Sequence, residues 1–138
     1  MTNQPEALRL NKAIEFYTNC FEKTKHENRK LLELAVKAAK YDFQIRKEVN
    51  PYNFISEDNF YLRNHSIART QDYEIYWNPL KNDGDALRLA VKLGINVWVD
   101  DDIIWCNNIA FNNDNDDPYA ATRRAIVRAA AEIGKEQP

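Results

Sequence analysis

The sequence predicts an α+β domain, with a mainly antiparallel sheet packed between helices and an N-terminal helical segment in front of it. Three observations carry this expectation. Residues 6–50 contain neither glycine nor proline and open with an apolar stripe at helical spacing. Short aromatic and β-branched runs cluster at 73–77, 95–99 and 103–106. Two segments, 78–94 and 115–134, share one grammar: a polar Asn/Asp turn with a proline, an Ala/Leu/Arg helix, and a closing glycine. Strands and helices do not alternate regularly, so a doubly wound parallel sheet is not indicated.

Along the chain, Leu10, Ile14, Tyr17 and Phe21 recur at steps of four, three and four, which is one face of an amphipathic helix. Leu31, Leu34, Ala35 and Ala38 form a second stripe. Thr24 and Glu27 between them fit a capping box. The expectation is therefore two helices, 5–23 and 25–41, with one long helix as the alternative. Asn50-Pro51 ends any helix there. Residues 60–63 and 66–70 are expected as short strands, and 73–77 as a firmer one. A helix over 83–93 follows, then strands at 95–99 and 103–106 joined by the turn 100–102, an extension at 109–111, and a last helix over 118–133.

The two C-terminal helices have local reasons to start and stop where they do. Asp83 or Asp85 can accept backbone N–H bonds at the start of the first, and Asp116-Asp117-Pro118 repeats the arrangement for the second. Gly94 and Gly134 are expected to close them. Leu87, Ala90 and Val91 are the expected inward stripe of the first; Tyr119, Ile126, Ala130 and Ile133 are that of the second.

The segments WNPLKNDGDALRLAVKLG and DDPYAATRRAIVRAAAEIG resemble a family of uncharacterised proteins of tailed bacteriophages and prophages, whose domain is called the phage ABA sandwich. LLELAVKAAK, residues 31–40, resembles that family's opening helix. The resemblance covers about 31–41 and 77–134. It implies a sheet held between helices and a viral origin; the polar start MTNQPEALRL shows no secretory signal, so the expected location is the cytoplasm of the bacterial host cell. It carries no catalytic residue over, because the family has none established. One domain over 1–138 is expected, with 1–27 as a helical extension and 28–134 as the sandwich-like core.

Composition narrows the function classes. With 44% apolar and 29% charged residues the chain is globular rather than disordered. The net charge of −2 hides a bipolar distribution. Residues 1–50 hold ten Lys/Arg against seven Asp/Glu, whereas 93–122 hold no Lys/Arg and six aspartates. No basic excess is present, so direct nucleic-acid binding is not expected. Nothing approaches the ~20 apolar residues of a membrane span. Cys20 and Cys106 are expected reduced and buried.

Candidate sites follow from charge. Asp100, Asp101 and Asp102 on a turn, with Asp114, Asp116 and Asp117 in a loop, would make one acidic face if the turn and loop lie close. Such a face suits a basic surface on a host protein, including the nucleic-acid-binding surface of a defence complex. Alternatively, Arg124 and Arg128 on one helix, with Lys135, and Arg88 and Lys92 on the other, can hold a nucleotide-type ligand. An Arg128–Glu132 pair on a solvated face is the plainer expectation. The loop 112–117 lacks the glycine and glutamate of a calcium loop. His26 and His65 have no metal-ligand spacing, and no catalytic motif is present. No catalytic residue, cofactor or metal is assigned. The aromatics of NFYL (59–62) and EIYWN (74–78) can stack on bases but are more simply core. The functional expectation is a phage accessory protein that binds a host protein and inhibits an anti-phage system, as anti-CRISPR proteins do. A homo-oligomer is compatible with the sequence.

Overall fold

The computed structural model describes residues 6–64, 73–114 and 116–138. In chain order the elements are α1 (Glu6–Ala38), β1 (Phe43–Val49), β2 (Ser56–Asn64), β3 (Tyr73–Trp77), α2 (Asp83–Leu93), β4 (Val97–Val99), β5 (Ile103–Cys106), β6 (Ile109–Asn112) and α3 (Pro118–Glu136). The class is α+β, as the sequence predicts. The antiparallel strands are divided between two three-stranded sheets, β1-β2-β3 and β4-β5-β6. The chain forms two compact units, Met1–Lys30 and Leu31–Pro138.

The described residues of the first unit are helix. α1 runs through Thr24 without a break, so the single long helix, and not the expected pair, is what forms. A capping residue must leave helical geometry, which would forfeit backbone bonds on both sides. With no glycine or proline nearby, nothing compensates for that loss. Every residue from Glu6 to Thr24 is exposed.

In the second unit Leu32, Ala35 and Val36 join Phe60, Trp77, Leu89, Ile104, Cys106, Ile126, Val127 and Ala130 in one core. β1 pairs with β2 in the register Ile45↔Phe60, and β2 with β3 in the register Phe60↔Trp77. Residues 43–49 were not expected as a strand. Phe43, Ile45 and Val49 alternate with Gln44, Arg46 and Glu48, the period of a half-buried strand. Lys47 interrupts that alternation on the apolar face. The expected strand at 66–70 lies outside the described residues. β5 and β6 are joined by Asn107 and Asn108, both at positive φ (50° and 68°), the conformation a tight two-residue hairpin requires.

α2 starts where expected, but Asn82 is its cap, accepting from Asp85 N at 2.9 Å. Asp85 is buried, and its carboxylate accepts from Asn78 N (3.0 Å) and Arg88 (2.7 Å), latching the preceding turn to the helix. Gly94 closes the helix at φ 65°. Of the expected inward stripe, Ala90 is buried but Leu87 and Val91 are not. Leu87 and Val91 are 63% and 73% exposed, and the buried residues are Asp85, Ala86, Leu89 and Ala90. The Asp85 latch turns that neighbouring stripe inward instead.

α3 is capped by Asp117, which accepts from Ala120 N at 3.0 Å, with Pro118 in its first turn. Its inner face is Ala125, Ile126, Val127, Ala129, Ala130 and Ala131, whereas Tyr119 is exposed. Gly134 does not end it; the helix continues to Glu136. A Cβ at Gly134 would run into the backbone carbonyl of Leu34. This glycine is therefore a contact point between two helix backbones, not a stop signal.

Replacing Gly134 by alanine separates the two roles by sign. A glycine free within a helix gains about 1 kcal/mol on becoming alanine. Here overpacking should dominate and cost about 1–3 kcal/mol net. Urea denaturation at unchanged slope measures it, and a stabilised variant would contradict the contact.

Candidate protein-binding face

The outer surfaces of the two sheets differ in chemistry. On the first, Glu48 accepts from Tyr61 Oη (2.5 Å) and Asn59 Nδ2 (3.2 Å). These bonds hold the Glu48 carboxyl below the usual carboxylate range, and the Glu48 bond raises the Tyr61 phenol above its own. Arg46 pairs with Glu74 and lies 4.6 Å from the Tyr61 ring centre. Tyr61 also meets Tyr76 edge-on at 5.8 Å. This face satisfies its own polar groups. Of the aromatics expected as core, Phe60 and Trp77 are buried, while Tyr61 and Tyr76 belong to this outward network.

The second sheet is otherwise. Ile104 and Cys106 of β5 are fully buried, so strand alternation turns Ile103 and Trp105 outward. Trp98 lies directly opposite Trp105, and Ala110 is Trp105's partner on the far side. The result is an outward tryptophan pair, 67% and 40% exposed, beside Ile103 and Ala110. Aromatic residues half in solvent are the usual anchors of protein interfaces.

The acidic turn lies at the end of this face. Asp100 N donates to Ile103 O at 2.9 Å, which closes the β4–β5 turn. Asn113 then ties the loop before α3 to that turn. Its backbone N–H donates to Asp102 O (3.0 Å) and its side-chain amide to Asp100 O (2.7 Å). The turn 100–102 and the loop carrying Asp114, Asp116 and Asp117 are thus brought together, the condition on which a single acidic face depends. All six aspartates are exposed. Asp114 accepts from Asp116 N at 3.0 Å and Asp117 caps α3, so two of the six also shape the backbone.

The arginine candidates are split. Arg124 and Arg128 line a shallow groove of about 270 Å³ with Phe111, Asn112, Asp114 and three alanines of α3. Arg128 lies 5.0 Å from the Phe111 ring centre. Arg88 is engaged by Asp85, and Lys92 lies 5.5 Å from the Tyr41 ring, so these two serve other contacts. Lys135 donates to Glu132 at 2.9 Å, in place of the expected Arg128–Glu132 pair. The stretch without a cation in sequence therefore has two arginines beside it in space.

Cys106 is buried as expected and its thiol is pushed up to about 11 by burial, which keeps it protonated and a poor nucleophile. Cys20 is exposed, contrary to expectation, because it lies on the uncovered part of α1. His65 lies outside the described residues, and His26 is exposed on α1. Among the described residues no group of His, Cys, Asp and Glu could hold a metal ion. No helix among them is long and apolar enough to cross a membrane.

Sequence reasoning did not identify Trp98 and Trp105 as surface residues. It also missed the β1–β2 hairpin tip, where Tyr52 is 93% exposed and Phe54 holds a positive φ of 57°. Asn50 and Asn53 side chains accept from Tyr52 N and Ile55 N there, and the two Asx turns fix the tip. The Asn-Pro-x-Asn run was the available signal. No protein-family model, no curated protein and no solved structure matches the chain.

Proposed function

We propose that this protein is a binding module that docks a protein partner on the outer face of the β4-β5-β6 sheet. Trp98 and Trp105 anchor the contact, and the aspartates at its end select a basic partner. The observation that carries the reading is the joining of an exposed tryptophan pair to a turn of three exposed aspartates whose backbone is tied through Asn113 to a second acidic loop. Apolar anchors supply affinity, and clustered charge supplies orientation and rate of encounter. With the phage-type resemblance of residues 31–41 and 77–134, the partner we propose is a host bacterial protein. A nucleic-acid-binding surface of an anti-phage defence complex has the required basic charge. The module would act by occupying that surface rather than by catalysis.

The test is capture from host lysate with three baits. The wild-type chain should retain a host protein. Trp98→Ser with Trp105→Ser should lose it. Asp100→Asn, Asp101→Asn and Asp102→Asn together should weaken retention at least about tenfold and flatten its salt dependence. Retention unchanged in both variants overturns the proposal.

The Arg124/Arg128 groove favours a second reading, a binder of a nucleotide-type ligand, since two guanidiniums and an aromatic ring meet there. In that case cyclic nucleotides should raise the melting temperature by several degrees, at ligand concentrations of about 100 times the Kd. Arg124→Ala with Arg128→Ala should abolish the rise; no shift in the wild type removes this reading.

A further inference from the structure

The strand registers set the outer face of the β4-β5-β6 sheet in rows. Trp98, Trp105 and Ala110 lie directly across from one another in one row. Asp100 and Ile103 stand in the next. Asp100 N donates to Ile103 O at 2.9 Å, which continues the β4–β5 pairing past Val99 and Ile104. Asp100 is thus across from the outward Ile103 and two residues along from the outward Trp98. Both relations put its exposed side chain on the tryptophan side. Asp102 O accepts from Asn113 N, which continues the β5–β6 pairing in the same way. Asp102 directly precedes Ile103, so strand alternation turns it to the other side. Asp101 stands at the tip. Of the three, Asp100 is the aspartate that shares a face with the indoles.

The first sheet has the same layout with a cation in place. Tyr61 and Tyr76 lie directly across from one another, and Glu74 is two residues along from Tyr76. Arg46, from the third strand, lies 4.6 Å from the Tyr61 ring centre and pairs with Glu74. On the second sheet the aromatic pair and the carboxylate recur. No strand of that sheet contains Lys or Arg, and its third strand sets only the small Ala110 beside Trp105.

We propose that an arginine of the protein partner lies over Trp98 and Trp105 and donates to Asp100, supplying from outside what Arg46 supplies to the first sheet. This pocket rests on the docking role of the β4-β5-β6 face and names the group which that face selects. The guanidinium is favoured over an ammonium by its shape. It is planar and weakly hydrated, so it stacks on an indole while its edge N–H groups stay free for a carboxylate. A lysine ammonium holds its water more strongly and has no flat face to lay on the ring.

Fluorescein-labelled hexa-arginine and hexa-lysine carry equal charge, and anisotropy titrations with the full chain separate the guanidinium from charge alone. The wild type should bind hexa-arginine at least about threefold more tightly than hexa-lysine. Asp100→Asn should remove most of that preference. Asp101→Asn removes the same charge at the tip and should leave it. Trp98→Leu keeps apolar bulk without the ring and should remove it. Hexa-arginine should also shift the indole N–H resonances of Trp98 and Trp105 and leave that of the buried Trp77 in place. Equal affinity for both peptides in the wild type, or binding of neither, overturns the proposal. So does a preference that survives Asp100→Asn or Trp98→Leu, or that Asp101→Asn abolishes equally. Capture of a host protein on this face does not involve these peptides. Capture that depends on Trp98 and Trp105, with no preference between the peptides, therefore removes the arginine pocket and leaves the docking face standing.

Discussion

The unit from Leu31 to Pro138 depends on the approach of α3 to the last turns of α1, set where Gly134 meets the Leu34 carbonyl. That approach leaves no room for a Cβ. The residues around it are small for the same reason: Ala35 and Ala38 on one helix, Ala39 just past its end, and Ala125, Ala129, Ala130 and Ala131 on the other are all buried. Small side chains contribute little apolar area each, but they let backbones pack at native density. Larger groups then fill the rest of the core, with Val36 and Val127 fully buried beside Phe60, Leu89 and Ile104. Arg123 ties α3 to the turn before α2 by donating to Leu80 O (2.9 Å) and Asp83 (2.7 Å).

From this core the two faces of the second sheet acquire different roles. Ile104 and Cys106 are committed to the interior. Trp98, Ile103 and Trp105 therefore face out, and Asn113 gathers the aspartates beside them. The first sheet spends its outward polar groups on one another, through Glu48, Tyr61, Arg46 and Glu74. A protein that merely needed a soluble surface could have finished the second sheet in the same way. The contrast is the physical content of the binding proposal.

How much was legible in the sequence follows the range of the interactions. The start of each C-terminal helix and the end of α2 were readable because capping is local: Pro118 and Asp117 for α3, Gly94 for α2. Gly134 was misread because a closing glycine and a close-packing glycine look alike without the partner backbone. On α2 the expected Ala90 is buried, but Leu87 and Val91 were misread as inward because they fit helical spacing with Ala90 as well as Ala86 and Leu89 do, and the buried Asp85 lies with the latter. At the site, the nearness of the two aspartate groups was conditional in sequence and is fixed by Asn113. The outward side of β5 was not readable, since Ile103-Ile104-Trp105-Cys106 is apolar at every position.

The central claim is that tryptophans and aspartates form one solvent-facing, negatively charged surface, and ionic quenching of tryptophan fluorescence tests it most directly. Trp77 is buried and should resist quenching, so the quenchable signal belongs to Trp98 and Trp105. At low ionic strength, with each ion's quenching taken relative to its quenching of free N-acetyltryptophanamide, caesium should quench that signal more strongly than iodide, roughly twofold or more, because the local potential concentrates cations. Asn at positions 100, 101 and 102 should remove the preference. Equal relative quenching by both ions, or stronger relative quenching by iodide, would contradict the account.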